Sequence, residues 1–168
     1  MFDNLTAGDV MESVFDYPHV PYWFTVGQAI RIIKVTFLKT KKYVSSMAIL
    51  VFDEKYNLIG ILTLRGILKS IGPGLLPANA DALSDDESAR TADGEISLPK
   101  QFMERQVSKI MIPVHHFVAP DEPLVNAARI MIENDLVLLP VLENKRKLVG
   151  LVSIADIFGG IAGRTPKE

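Results

Sequence analysis

A hydroxyl residue and a carboxylate lie three residues apart near the carboxyl end of the chain, in the segment from Gly150 to Asp156 (GLVSIAD). A carboxylate accepts two hydrogen bonds at once, and bonds to a charged acceptor are the stronger kind. A serine that opens a helix also stands beside backbone N–H groups that attract anions. The same pair, Ser153 and Asp156, is nearly a capping box, in which both side chains satisfy the first N–H groups of a helix. The residues alone leave both uses open.

A related segment, from Gly60 to Gly66 (GILTLRG), occurs in the first half of the chain. Both segments place a glycine before two aliphatic residues, then a hydroxyl residue and another aliphatic residue. Only the second segment ends in a carboxylate, because Gly66 stands where Asp156 stands in the other copy. The two segments therefore predict two related structural units with one intact polar site.

The elements that must position these segments repeat as well. Residues 26–33 align with residues 124–131, and both have apolar residues at helical spacing. Short aliphatic runs follow at residues 49–52 and 139–142, and such runs are typical of buried strands. Each half is thus predicted to place a helix before a strand.

A second strand is expected to complete a hairpin in each half. Polar turns follow the aliphatic runs, and residues 58–62 and 148–152 then return to apolar sequence. Thr63 and Ser153 stand where a helix N-cap belongs, so a second helix is expected after each of them. Repeats this small cannot bury their apolar faces alone, and we expect the two to pack against each other.

Composition excludes several classes of function. The 168 residues carry a formal net charge of −2, whereas broad nucleic-acid binding needs a basic surface. The chain has no cysteine, which excludes thiol catalysis and disulfides. Its apolar runs are too short to span a bilayer, and the first residues do not resemble a signal peptide. A cytoplasmic location is therefore expected.

The repeated motif and its surroundings resemble a tandem pair of CBS (cystathionine-β-synthase) domains, which is called a Bateman module. The family motif is Gly, two hydrophobic residues, Ser or Thr, two variable residues and Asp, and the segment from Gly150 to Asp156 fits it throughout. The resemblance covers nearly the whole chain. It implies an α+β fold in which two β-α-β-β-α repeats pack through their sheets as a pseudo-twofold pair. The implied boundaries are a first repeat at residues 5–72, an acidic flexible linker with a short helix at residues 73–103, and a second repeat at residues 104–163.

The resemblance also implies a ligand and a set of contacts. CBS pairs bind adenosine-containing ligands such as AMP, ADP, ATP or S-adenosylmethionine in the clefts between repeats, and they commonly dimerise. By this resemblance, Asp156 accepts hydrogen bonds from the ribose hydroxyls, Ser153 donates to the first phosphate, and Gly150 lets the backbone approach closely. The expected apolar walls are Ile110, Met111, Phe117 and Val118, with Ala48 and Ile49 from the first repeat.

Two departures from the family pattern bear on the ligand. Gly66 removes the ribose acceptor of the first repeat, so we expect its cleft to be empty, weakly occupied or used for something else. Met47 and Val137 stand where family members often carry Arg or His for phosphate. The alternatives left open are AMP, an adenosine with a neutral tail, or phosphate contacts from Lys109 or Arg164.

The leading interpretation is a ligand-sensing regulatory module, not an enzyme, which acts through a conformational change on a separate effector. The alternative is a ligand-free dimerisation scaffold in which Ser153 and Asp156 only cap a helix. No required cofactor and no metal are expected, since the adjacent His115 and His116 would point to opposite faces of an extended segment. The expected partners are an adenosine-containing small molecule, a second copy of the chain and an unknown effector protein, with no nucleic acid and no membrane.

Overall fold

The computed structural model describes residues 5–39, 48–71 and 98–162. Most of the predicted linker, Met47 and Arg164 lie outside these residues. The elements of the first half are α1 (Ala7–Val10), β1 (Glu12–Ser13), β2 (His19–Pro21), α2 (Val26–Lys39), β3 (Ala48–Phe52), β4 (Leu58–Thr63) and α3 (Leu64–Ile71). Those of the second half are α4 (Lys100–Met103), β5 (Ile112–Pro113), α5 (Leu124–Glu133), β6 (Leu138–Glu143), β7 (Lys147–Ser153) and α6 (Ile154–Ala162). Short 3-10 helices occupy Val14–Asp16 and Val107–Lys109.

Both predicted hairpins are present, as β3–β4 and β6–β7, and their registers match closely. Each is antiparallel with one irregularity, between Val51 and Phe52 in the first and between Val141 and Leu142 in the second. In the first turn the Asp53 carboxylate accepts hydrogen bonds from the backbone N–H groups of residues 55 and 57, both at 2.8 Å. A short polar side chain that bonds the backbone two residues on favours such a turn.

The strands form two sheets, and each sheet contains strands from both halves of the chain. One sheet has the order β2-β3-β4-β5 and the other has the order β1-β7-β6. Strand β1 therefore joins the hairpin of the second half, and β5 joins the hairpin of the first half. This exchange interlocks the two units, and the expected α+β pair of repeats packed through their sheets is confirmed.

The buried residues form three clusters, because side chains along each strand point alternately to the two faces of its sheet. In β3, Ile49 packs in the first unit's core beneath α2 and α3, while Leu50 packs in a central cluster with Ile61, Leu138 and Leu151. The second unit's core lies beneath α5 and α6. The central cluster joins the two sheets, so its burial stabilises the pair as a whole.

Candidate functional site

The second motif forms the junction between β7 and α6. The Asp156 Oδ2 atom accepts hydrogen bonds from the Ser153 N–H at 2.7 Å and from the Ser153 hydroxyl at 2.6 Å. The Asp156 N–H donates in return to Ser153 Oγ at 3.1 Å. This is a reciprocal capping box, and Ser153 itself is fully buried. Both capping bonds use Oδ2, and within the part of the chain that the structure describes Oδ1 accepts no hydrogen bond.

Strand β1 from the first half pairs with β7, the strand that leads into this motif. Gly150 pairs with Ser13, and the next residue of β7 pairs with Glu12. A Cβ atom on Gly150 would stand 2.6 Å from the Glu12 carbonyl oxygen and 2.7 Å from Met11 Sδ. A glycine is required where two backbones approach this closely. We call Gly150, Ser153 and Asp156, together with the lead-in residues Met11 and Glu12, the Asp156 site.

The described surroundings of the Asp156 site are acidic. The buried Tyr17 donates its hydroxyl hydrogen to a Glu12 carboxylate oxygen. Burial raises the pKa of Tyr17 most, the hydrogen bond to Glu12 raises it further, and the charges of Glu12, Asp156 and Asp16 add to the increase. Three carboxylates therefore lie near one phenol. Residues 44–47, which correspond to residues 134–137 by strand register, lie outside the described part of the chain.

The first motif forms the equivalent junction between β4 and α3, and it differs chemically. The Gly66 N–H donates to Thr63 Oγ1 at 3.0 Å, but Gly66 has no side chain to complete a capping box. A cavity of about 480 Å³ opens beside these residues, which we call the Thr63 cavity. Its charged lining residues are Arg65, Lys69, Arg105, Lys109 and Asp135.

Three of the residues expected at Asp156 lie at the first motif instead. Lys109 and Ile110 line the Thr63 cavity. The Ile110 carbonyl oxygen would be 3.6 Å from a Cβ on Gly66, and Met111 packs against Gly60. This placement differs from the predicted one because β5 pairs with β4, which carries the second lead-in to the first unit's motif.

The remaining predicted wall residues are spread over different surroundings. Val118 forms a parallel bridge to Val141 and is buried beneath α5 and α6, whereas its neighbour Phe117 is 41% exposed. Ile49 is in the first unit's core, and Ala48 is in the central cluster together with Tyr17. The structure thus places Gly150, Ser153 and Asp156 at one junction, whereas Val118, Ile49 and Ala48 belong to three different clusters.

Sequence reasoning missed the residues that do lie over the second motif. Met11, Glu12 and Tyr17 belong to the first half, and no local pattern links them to Ser153 or Asp156. One signal was available, since the lead-in segments Val10-Met11 and Ile110-Met111 are alike. That likeness shows that both segments have the same role, but it does not show which motif each one faces.

The described residues contain neither a metal-binding cluster nor a membrane-spanning helix. No group of three or more His, Asp or Glu side chains within residues 5–39, 48–71 and 98–162 is arranged to hold a metal ion. None of the helices in these ranges has the length and apolarity needed to cross a membrane.

The comparisons with known proteins agree with this architecture. The family model of the CBS domain matches residues 107–163. Among curated protein sequences, none matches the chain. The chain is similar to the structure of CBSX2 in complex with AMP, with a TM-score of 0.63 and 18% identity over 95% of this chain and 98% of that one.

Two other solved structures share the fold. A CBS domain-containing protein from Bacillus anthracis has a TM-score of 0.67 and 18% identity over 98% of this chain and 97% of that one. The cytosolic domain of the Mg²⁺ channel MgtE in complex with ATP has a TM-score of 0.58 and 24% identity over 95% of this chain and 49% of that one. Residues 107–163 therefore match the CBS domain family, and the chain as a whole has the fold of a tandem CBS pair.

Proposed function

We propose that this protein is a regulatory module, not an enzyme, and that it binds an adenosine-containing ligand at the Asp156 site. The observation that carries the proposal is that only one of the two oxygens of the Asp156 carboxylate accepts the capping hydrogen bonds. Asp156 caps α6 through Oδ2 alone, which leaves Oδ1 available to accept hydrogen bonds from ribose hydroxyls without loss of the cap. Capping and ligand binding are therefore compatible at this residue.

The charge around the site affects how many phosphate groups a bound ligand can carry. Glu12 and Asp16 lie close enough to Tyr17 to raise its pKa together with Asp156, so a phosphate in this neighbourhood meets negative charge. Solved relatives of this fold contain AMP or ATP. For this chain we expect adenosine and AMP to bind more tightly than ATP.

A regulatory role is supported by the fact that both repeats contribute residues to the Asp156 site. Strand β1 comes from the first repeat and the motif comes from the second, so a ligand that binds Asp156 beside this paired junction contacts both repeats. Such a ligand shifts the packing of the repeats only to the extent that it binds one arrangement better than another. Effector proteins that contact the module in one arrangement would then report ligand occupancy.

The proposed ligand role is tested by Asp156→Asn, which keeps the size of the side chain and removes its charge. We expect the affinity for adenosine and AMP to fall about tenfold or more, because hydrogen bonds to a charged acceptor contribute roughly 1.5–3 kcal/mol. Isothermal titration calorimetry measures the affinity directly.

A matched control is Asp53→Asn. This carboxylate also accepts backbone hydrogen bonds, but it lies in the first hairpin turn, and its substitution should leave ligand affinity unchanged. Equal affinity of wild type and Asp156→Asn would contradict the proposed role. If the wild type binds no adenosine compound at all, the scaffold function is favoured, with Ser153 and Asp156 acting only as a cap.

We further propose that two copies associate through the apolar faces of α3 and α6. These helices expose side chains at equivalent positions of the two repeats: Leu64 and Leu68 in α3, and Ile154 and Phe158 in α6. Residues four apart share one helix face, so each helix presents an apolar stripe. Exposed apolar surface of this kind marks sites of association.

The double variant Leu68→Glu/Phe158→Glu is expected to convert dimers to monomers, because it places charges on both stripes. Sedimentation velocity over a range of protein concentrations measures the change. Ile132→Glu is the control, since Ile132 on α5 is 81% exposed and outside the two stripes. A monomeric wild type, or dissociation caused by Ile132→Glu alone, would refute this interface.

A further inference from the structure

We propose that the Thr63 cavity is a separate site for an oligophosphate and that it recognises the anion without recognising a nucleoside. The cavity has a volume of about 480 Å³, and four basic residues line it: Arg65, Lys69, Arg105 and Lys109. Asp135 is the one acidic residue among the described residues of this lining. The proposal concerns a different site from Asp156 and a different ligand class, and it does not depend on the adenosine proposal.

Among the described residues, the basic side chains of the cavity form no ion pair. The Arg105 guanidinium lies 5.9 Å from the centre of the Phe102 ring, a contact that leaves its charge intact. Several uncompensated cations around one concave surface attract a multiply charged anion more strongly than isolated surface lysines do.

The fold itself does not require these charges, as the other half of the molecule shows. Ile112 of β5 pairs with Ile61, and Glu12 of β1 pairs with Leu151. Ile61 and Leu151 occupy the same position in their hairpins, so Ile112 corresponds to Glu12. Three residues earlier in each lead-in, Lys109 corresponds to Asp9. The charge at this position is therefore opposite in the two halves.

The helix that follows each motif shows the same contrast. From the alignment of the two motifs, Arg65 corresponds to Ala155 and Lys69 corresponds to Gly159. The same backbone thus carries cations at the first motif and uncharged residues at the second. The cations are a specific property of the Thr63 cavity.

The chemistry of the first motif also favours phosphate over ribose. Gly66 provides no carboxylate for ribose hydroxyls, which removes the group that the second motif offers through Asp156. Thr63 Oγ1 accepts the Gly66 N–H, so its own hydroxyl hydrogen is available to donate, and it has no acceptor among the described residues. Thr63 and Arg65 at the start of α3, with Lys69 and Lys109 in the same cavity, provide hydroxyl, guanidinium and ammonium donors, which are groups that bind phosphate oxygens.

The test is isothermal titration calorimetry of the full chain with sodium tripolyphosphate at low salt and at raised salt. We expect binding to the wild type that weakens as salt increases, since counterions screen the exposed cations. The variant Lys69→Ala/Lys109→Ala should bind at least about tenfold more weakly, because each charge-assisted hydrogen bond to phosphate contributes roughly 1.5–3 kcal/mol. The four basic side chains that line the cavity are exposed, so the fold should survive the substitutions; circular dichroism checks this.

Three comparisons make the result specific. The variant Lys55→Ala/Lys145→Ala removes the same charge from the two hairpin turns and should leave tripolyphosphate affinity unchanged. Asp156→Asn should also leave it unchanged, which separates this site from the adenosine site. ATP should displace tripolyphosphate through its phosphates, whereas adenosine should not.

The proposal is overturned by any of four results. These are no binding of tripolyphosphate at low salt, an equal loss in the control variant, a loss in Asp156→Asn, or displacement by adenosine. An equal loss in the control would assign the binding to net charge alone. Displacement by adenosine would assign the cavity to a nucleoside.

Discussion

Gly150→Ala is expected to lower the free energy of unfolding by about 3 kcal/mol, a cost typical of forcing an atom into a packed site. The added Cβ would stand 2.6 Å from the Glu12 carbonyl oxygen, which belongs to the backbone of β1. This strand is paired with β7 and cannot retreat without breaking that pairing. The exchanged strand should therefore loosen, and the contact between the two repeats should weaken with it. Urea unfolding followed by circular dichroism measures the loss.

A second glycine in the same half provides the control. A Cβ on Gly159 would meet no atom within 4 Å, and Gly159 lies inside α6. Gly159→Ala should therefore stabilise the protein by about 0.5–1 kcal/mol, since alanine loses less conformational freedom than glycine in a helix. If Gly150→Ala is as stable as Gly159→Ala, the close approach of β1 to the second motif is wrong.

Tyr17→Phe is expected to destabilise the protein by about 2 kcal/mol at neutral pH. Phenylalanine keeps the buried ring but removes the hydroxyl that donates to the Glu12 carboxylate, and hydrogen bonds to charged groups contribute roughly 1.5–3 kcal/mol. The partly buried carboxylate is left without this donor. The difference between the two unfolding free energies in urea measures the contribution.

The same residue makes stability depend on pH in the alkaline range. Burial and the nearby carboxylates raise the pKa of Tyr17 above its ordinary value of 10.0. Above that pH the unfolded chain loses the phenolic proton and the folded chain keeps it, so stability falls as pH rises. One group contributes at most about 1.4 kcal/mol per pH unit.

The advantage of the wild type over Tyr17→Phe should therefore be constant from pH 7 to about 9 and should shrink above pH 10. The variant is the reference that isolates Tyr17 from the lysines and the other tyrosines, which titrate in both proteins. An advantage that stays constant up to pH 11 would show that the Tyr17 hydroxyl is not held in its protonated form by the fold.

Local features of the fold were predictable from the sequence. The aliphatic runs, polar turns and N-cap residues predict both hairpins, and Leu58–Thr63 and Lys147–Ser153 extend the expected second strands by only one or two residues. These features depend on side-chain periodicity and turn chemistry within a few residues. The capping role of Ser153 and Asp156 is local for the same reason, because donor and acceptor are three residues apart.

The placement of Ala48 and Ile49 could also be predicted from the sequence. Both were expected near the ligand, and adjacent residues of a strand point to opposite faces of the sheet. Ile49 accordingly packs beneath α2 and α3, while Ala48 lies in the central cluster.

The sequence by itself determined that there are two repeats, where their hairpins lie, and that only the second motif carries a carboxylate. Only the tertiary structure decided that each lead-in joins the opposite unit. Strands β1 and β5 have two residues each, too few to show any periodicity, and their pairing joins segments that are distant along the chain. The exchange places Glu12 near Asp156 and Lys109 near Thr63. The charges of the two sites are therefore set by packing between repeats.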